Sequence, residues 1–279
     1  MKLYKSGDQA LLEISSNEWK IIEDRDWDEL INRTDLFNYL KANAEGWKAI
    51  DAPIDKKWDA PLVSQEVWAA GVTYLRSKVA RMAEAEEAGG GDFYDRVYDA
   101  DRPEIFFKAT AARTVGDGEE VYIRKDSTWD VPEPELALFC SSQGTIEGYT
   151  IGNDMSSRSI EGENPLYLPQ AKTYEKCAAL GPCIYVREDP IPANTTIKMK
   201  IVRGAQEMYS DQVALSQMKR KLPDLVEYLF RECNFPLGVF LMTGTCLVPE
   251  DHFTLAIGDK IQMEIDHIGK LENYVGKRI

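Results

Sequence analysis

Two glutamates and an aspartate are the residues of this 279-residue chain best spaced to do chemistry together. Glu133 and Glu135 stand two apart in Trp129-Asp-Val-Pro-Glu-Pro-Glu-Leu-Ala-Leu-Phe139, at the head of an apolar run. In a strand, residues i and i+2 point to the same face, so both carboxylates project together while Pro134 and Leu136 face the other way. Like charges held side by side repel unless something positive lies between them. Hard cations favour such oxygen ligands, Mg²⁺ first and Mn²⁺ or Ca²⁺ next. A third carboxylate, Asp154, follows in Gly148-Tyr-Thr-Ile-Gly-Asn-Asp-Met-Ser156. Its distance from Glu135 suits a strand over 135–140, a turn over 141–144 and a returning strand over 145–151. The absence of nearby His or Cys argues against zinc. Taken alone, Glu-x-Glu is more often a solvated strand face than a metal site. A second pair with the same spacing, Glu161-Gly-Glu163, sits among Gly, Asn and Pro with no apolar run after it and reads as loop.

The elements that must position these groups are mostly short strands. Strands are expected over 67–72, 105–109, 120–124, 148–152, 190–203 and 255–268. Apolar spacing predicts a helix over 27–42. An Ala- and Glu-rich stretch predicts another over 76–88, stopped by Gly89-Gly-Gly91, which reads equally as the hinge of a lid or a surface loop. An amphipathic helix is expected over 216–233, interrupted near its start by Pro223. Pro53 and Pro61 bracket a linker, dividing the chain into a small N-terminal domain over 1–62 and a main domain over 63–279. The pattern favours a β-rich α+β fold over a doubly wound sheet.

Lys and Arg number 33 against 47 Asp and Glu, a net charge of −14. That balance speaks against nucleic acid and anionic membranes as partners. It leaves room for an anionic small molecule, because a metal and a few local cations can invert the sign within a site. No apolar run is long enough for a membrane span, and the first residues lack a signal peptide's apolar core. The five scattered cysteines read as thiols of a reducing cytoplasm. The two histidines, His252 in a loop and His267 in a strand, read as non-catalytic.

Several ordered blocks together resemble the fumarylacetoacetate hydrolase family. They are Pro132-Glu-Pro-Glu-Leu-Ala-Leu138, Gly148 through Arg158, Gln170-Ala-Lys172, Leu180-Gly-Pro182, Thr243-Gly-Thr245 and Gly258 through Asn273. The resemblance implies a mixed β-roll with a small N-terminal domain, a divalent metal on Glu133, Glu135 and Asp154, and substrates that are 2-oxo acids or β-diketones. It also implies a homodimer or homotetramer. The hydrolases of the family carry Gly-x-Asn-Tyr-x-x-His-x-x-Glu, whereas this chain has Gly71-Val-Thr-Tyr-Leu-Arg-Ser77-Lys-Val-Ala80. Serine cannot replace histidine as an unaided base at neutral pH.

The match is closer to the branch that dehydrates 2-keto-3-deoxy sugar acids. That branch implies a metal-dependent dehydratase of a 2-keto-3-deoxy pentonate, the D-arabinonate first, giving 2,5-dioxopentanoate and water. An acylpyruvate hydrolase or oxaloacetate decarboxylase is the alternative. The resemblance places an acid–base pair on Glu104 and Lys172, with the order of their roles open. Lysine serves as a base only where burial or a nearby cation favours its neutral form. Arg76, Ser77, Arg81, Gln170 and Thr245 are the expected substrate contacts, although Arg76 and Arg81 could equally pair with Glu84–Glu87 along a helix.

Overall fold

The computed structural model describes residues 1–23, 26–54, 57–75 and 96–279. The expected helix over 76–88, the Gly89–Gly91 hinge, and Arg76, Ser77 and Arg81 lie outside the described residues. Among the described residues the chain forms mixed sheets, as the β-rich α+β reading requires. The largest has eleven strands. Its path runs Lys48–Ile50, Glu18–Ile22, Gln9–Ser15, Lys2–Ser6, Ala178–Tyr185, Ile146–Asp154, Pro134–Cys140, Val239–Met242, Glu66–Gly71 and Glu104–Ala109, with Thr114–Val115 pairing beside Ala178–Tyr185. A five-stranded sheet is ordered Gln206–Ala214, Thr196–Arg203, Lys260–Ile265, Gly269–Lys277, Glu120–Ile123. Most pairs are antiparallel, but Val239–Met242 runs parallel to Glu66–Gly71.

Strand Pro134–Cys140 lies at the centre because every one of its residues is buried. Strands covered on both faces read as continuous apolar runs. Leu136 and Leu138 enter a core shared with Met199, Ile201, Ile261 and Met263 of the five-stranded sheet. Ala137 and Phe139 enter a second core with Leu30, Ile31, Leu36 and Leu40. Full burial of each large side chain contributes roughly 1.5–3 kcal/mol. The first strands extend this sheet, with Lys2 opposite Tyr185 and Leu3 opposite Ile184.

Four expectations need correction. The helix over 27–42 is two helices, Trp27–Ile31 and Leu36–Asn43. Asn32 breaks it, because its amide donates to the Pro236 carbonyl and its carbonyl oxygen accepts from Ser142 N. The helix over 216–233 shrinks to Leu222–Phe230, with Pro223 in its first turn, where a missing N–H costs nothing. Glu161-Gly-Glu163 is not loop but the end of helix Arg158–Glu163, and Glu161 is buried. His267 lies not in a strand but in the turn joining Lys260–Ile265 to Gly269–Lys277, at φ +71°.

The short pair Asp130–Val131 and Ser156–Ser157 braces the back of the central hairpin. Asp130 is buried there, and one of its carboxylate oxygens has no hydrogen-bond partner among the described residues. Burial pushes its carboxyl up to about 6 from the ordinary 3.8, with Ser127 and Arg124 offsetting only part. A raised carboxyl favours folding fully below 3.8, and that contribution is lost as pH rises through about 6. Asp130→Asn is therefore expected to stabilise the protein by about 1–2 kcal/mol at pH 8 and to change little at pH 4. Thermal unfolding at the two pH values tests this, and an equal shift at both would remove Asp130 as the cause.

Candidate active site

The hairpin of Pro134–Cys140 and Ile146–Asp154 builds the site. Its turn is closed by Ser141 N to Thr145 O at 2.9 Å and allowed by Gly144 at φ +74°. The register sets Glu135 opposite Gly152 and Pro134 opposite Asn153. One step further, Asp154 N donates to Glu133 O at 3.0 Å. Carboxylates 19 and 21 residues apart in sequence thus meet at the open end of a single hairpin. Glu133, Glu135 and Asp154 each offer an oxygen within 4.8 Å of the others, and all three are buried.

Each carboxylate has a different neighbourhood. Glu133 accepts from Arg158 Nη2 at 2.8 Å and from Lys172 Nζ at 2.8 Å. Asp154 lies between two ammonium groups, Lys108 Nζ at 2.6 Å and Lys172 Nζ at 3.0 Å. Burial opposes its ionisation, but Lys108 and then Lys172 outweigh it and hold the carboxyl below its ordinary value. Glu135 has no Lys or Arg within ion-pair distance among the described residues. It accepts from Gly244 N at 2.6 Å. Burial, then the charges of Asp154 and Glu133, push its carboxyl well up. Gly244 can aim its N–H there because its φ is +95°, a conformation glycine adopts without penalty. This explains the glycine in Thr243-Gly-Thr245.

Lys172 closes the site from the other side. It is the last residue of the short helix Leu168–Lys172 and is fully buried. Its ammonium also donates to Ser156 Oγ at 2.5 Å. The Ser156 hydroxyl in turn donates to the Asp154 carbonyl at 3.0 Å, which leaves its lone pair facing Lys172. The cleft left between these groups has about 10 Å³ of open space. Its walls include Gly71, Val72, Phe106, Arg158, Gly244 and Thr245. Glu104 is not itself a wall residue but stands next to one, on strand Glu104–Ala109, paired opposite Gly71. Its carboxylate occupies the space where Gly71 has no side chain, since a β-carbon there would fall 2.0 Å from Glu104 Oε2.

The structure therefore brings together Glu133, Glu135, Asp154, Lys172 and Thr245, with Glu104 at the Gly71 wall. Gln170 is not brought in. It is exposed on its helix, two residues from Lys172 and so turned away from it, and it is absent from the cleft walls. His252 and His267, the only histidines in the chain, are both exposed and line no part of the cleft. Sequence reasoning passed over Lys108, Ser156 and Arg158. For Lys108 a signal existed, because period-2 alternation puts it on the same strand face as Glu104 and Phe106.

The donor set fits a divalent cation. It consists of three hard oxygen ligands converging in a buried pocket with no thiol or imidazole among them. The Lys172 ammonium bonded to two of the three carboxylates shows how strongly the arrangement draws positive charge.

Comparison with known proteins identifies relatives of this chain. The chain is 49% identical over 226 residues to a probable 2-keto-3-deoxyxylonate dehydratase of Haloferax volcanii, covering 81% of this chain and 77% of that one. It is 41% identical over 274 residues to the 2-dehydro-3-deoxy-D-arabinonate dehydratase of Saccharolobus solfataricus, covering 97% and 87%. A solved structure of 2-keto-3-deoxy-D-arabinonate dehydratase complexed with magnesium and 2,5-dioxopentanoate superposes with a TM-score of 0.82 at 35% identity, covering 100% of this chain and 99% of that one. Residues 67–276 match the fumarylacetoacetate (FAA) hydrolase C-terminal family, and the chain belongs to that family.

Proposed function

We propose that this protein is a Mg²⁺-dependent dehydratase of a 2-keto-3-deoxy pentonate, 2-keto-3-deoxy-D-arabinonate in first place, producing 2,5-dioxopentanoate and water. The observation that carries the reading is the convergence of three buried carboxylates, two of them paired with Lys172, beside a Gly71 wall against which Glu104 packs. The likeness to the two dehydratases supports it. Glu133, Glu135 and Asp154 would hold the cation, which when bound supplies Lewis-acid stabilisation of an enolate oxygen. The chain's own groups do the rest. Lys172 and Glu104 share two tasks, removing a proton from C3 and protonating the C4 hydroxyl as it leaves. Loss of water leaves a C3=C4 double bond conjugated with the C2 oxo group. Moving a proton from C5 to C3 gives the C4=C5 enol, and protonation at C4 with loss of the enol hydroxyl proton gives the C5 aldehyde. Arg76, Ser77, Arg81 and Thr245 complete the substrate contacts.

Hydrolysis through a histidine base finds no support, because neither histidine of the chain lies at the cleft. The same reading includes a small N-terminal unit over residues 1–62, and cleft walls drawn from residues 70–248 are compatible with its standing outside the chemistry. A homodimer or homotetramer in the cytoplasm belongs to the same reading. The free cysteines, four of them buried, support a reducing compartment.

An NMR time course with 2-keto-3-deoxy-D-arabinonate and its C4 epimer, each with Mg²⁺ and with EDTA, tests the function. Metal-dependent 2,5-dioxopentanoate is the expected result. Silence with both substrates would sink it, as would CO₂ release from oxaloacetate in their place. Glu104 has its own test in Gly71→Ala. The added methyl displaces only the flexible end of Glu104, so the fold is kept while kcat falls about 100-fold. A kcat unchanged within threefold would take Glu104 out of the mechanism.

A further inference from the structure

Lys108 is fully buried, and the acid–base pair and cation ligands above do not include it. Its ammonium has three N–H donors, and three acceptors surround it. They are Asp154 Oδ1 at 2.6 Å, the Met155 carbonyl at 2.8 Å and the Lys172 carbonyl at 2.5 Å. These acceptors come from two different elements, the end of the central hairpin and the end of the helix that delivers Lys172. A five-residue helix leaves its last carbonyls without intrahelical partners. Lys108 satisfies the one on Lys172 itself. The backbone of Lys108 is tied to the same helix end, because Thr173 Oγ1 lies 3.1 Å from the Lys108 carbonyl and 3.3 Å from that of Phe107. Glu104 lies four residues before Lys108 on the same strand.

We propose that Lys108 is a positioning residue that locks the backbone of Lys172 to the Asp154 carboxylate and to the strand carrying Glu104. One ammonium thereby sets three parts of the site in register: a carboxylate of the acidic triad and both members of the acid–base pair. The side chain lies behind Asp154 and is not among the cleft walls, so its removal loosens the aim of Lys172 and leaves substrate binding largely intact. The catalytic consequence rests on the dehydratase reading, whereas the local fastening of residues 168–177 does not.

The test uses the full-length chain with Lys108→Met, and Lys108→Gln as a second variant that keeps N–H donors without the charge. Two readouts are taken on each, amide hydrogen exchange by mass spectrometry and steady-state kinetics at saturating Mg²⁺. The expected result is exchange at least tenfold faster in the 168–177 peptide, with the rest of the chain as in the parent. With it, kcat drops about 100-fold and KM stays within threefold. Lys108→Gln is expected to fall between Lys108→Met and the parent. Unchanged exchange in 168–177 overturns the proposal. Exchange raised evenly along the chain in both variants also overturns it, since that marks a merely structural lysine. A loss seen in KM at constant kcat does the same. If the parent turns over no sugar acid, the dehydratase reading fails, and the exchange result still decides whether Lys108 fastens the Lys172 helix.

Discussion

Replacing Lys172 by methionine is expected to lower turnover about 1,000-fold while the protein still folds. General acid–base groups contribute about 10²–10⁴-fold, and Lys172 stands against two of the three carboxylates. Methionine preserves most of the volume, so the cavity cost is small. The electrostatic cost is larger, because the ammonium now sits between Glu133 and Asp154 in a fully buried place. Breaking a buried pair by removing one partner costs about 3–5 kcal/mol. Here the loss should lie at the low end of that range, since Arg158 remains on Glu133 and Lys108 on Asp154. Mg²⁺ should restore part of it. Kinetics together with melting curves in EDTA and in Mg²⁺ measure both effects. Turnover within tenfold of the parent would remove Lys172 from the acid–base chemistry.

Glu135→Gln is expected to reverse the stability order of variant and parent according to whether Mg²⁺ is present. Glu135 is the carboxylate of the triad that no described lysine or arginine pairs with directly, and the more distant Lys172 charge does not offset burial and two like charges in a buried pocket. Glutamine removes the charge and keeps an oxygen that can accept the Gly244 N–H. In EDTA the variant should therefore melt above the parent, by about 1–3 kcal/mol or roughly 2–4 °C per kcal/mol. A ligand present at a hundred times its Kd adds about 2.7 kcal/mol to the parent, and the variant should forfeit most of that gain together with measurable turnover. A residue kept at a cost to the metal-free fold is what a functional site looks like. A variant no more stable than the parent in EDTA would show that Glu135 is not the strained member of the triad.

Much of the site was legible before the fold was known. The Glu133–Glu135 spacing requires that both carboxylates share a strand face, and Asp154 falls where a returning strand ends. The apolar run after Glu135 marks a central strand, and the observed hairpin follows from that pattern and its turn residues. These features are local, fixed by the two-residue period of a strand and the conformations open to a short turn.

Other features depend on contacts between segments far apart in sequence. Asn32 ends a helix that periodicity would continue because it finds partners at Pro236 and Ser142. Glu161 and Lys108 resemble ordinary polar residues until the surrounding elements bury them. Gln170 shares a motif with Lys172, but a helix separates their directions. The sequence by itself determined which carboxylates meet, because a hairpin's register is set by its own residues. Only the tertiary structure decided which cations stand against them. Lys108, Arg158 and Lys172 arrive from three separate elements, and where their long side chains end depends on how those elements pack rather than on any spacing along the chain.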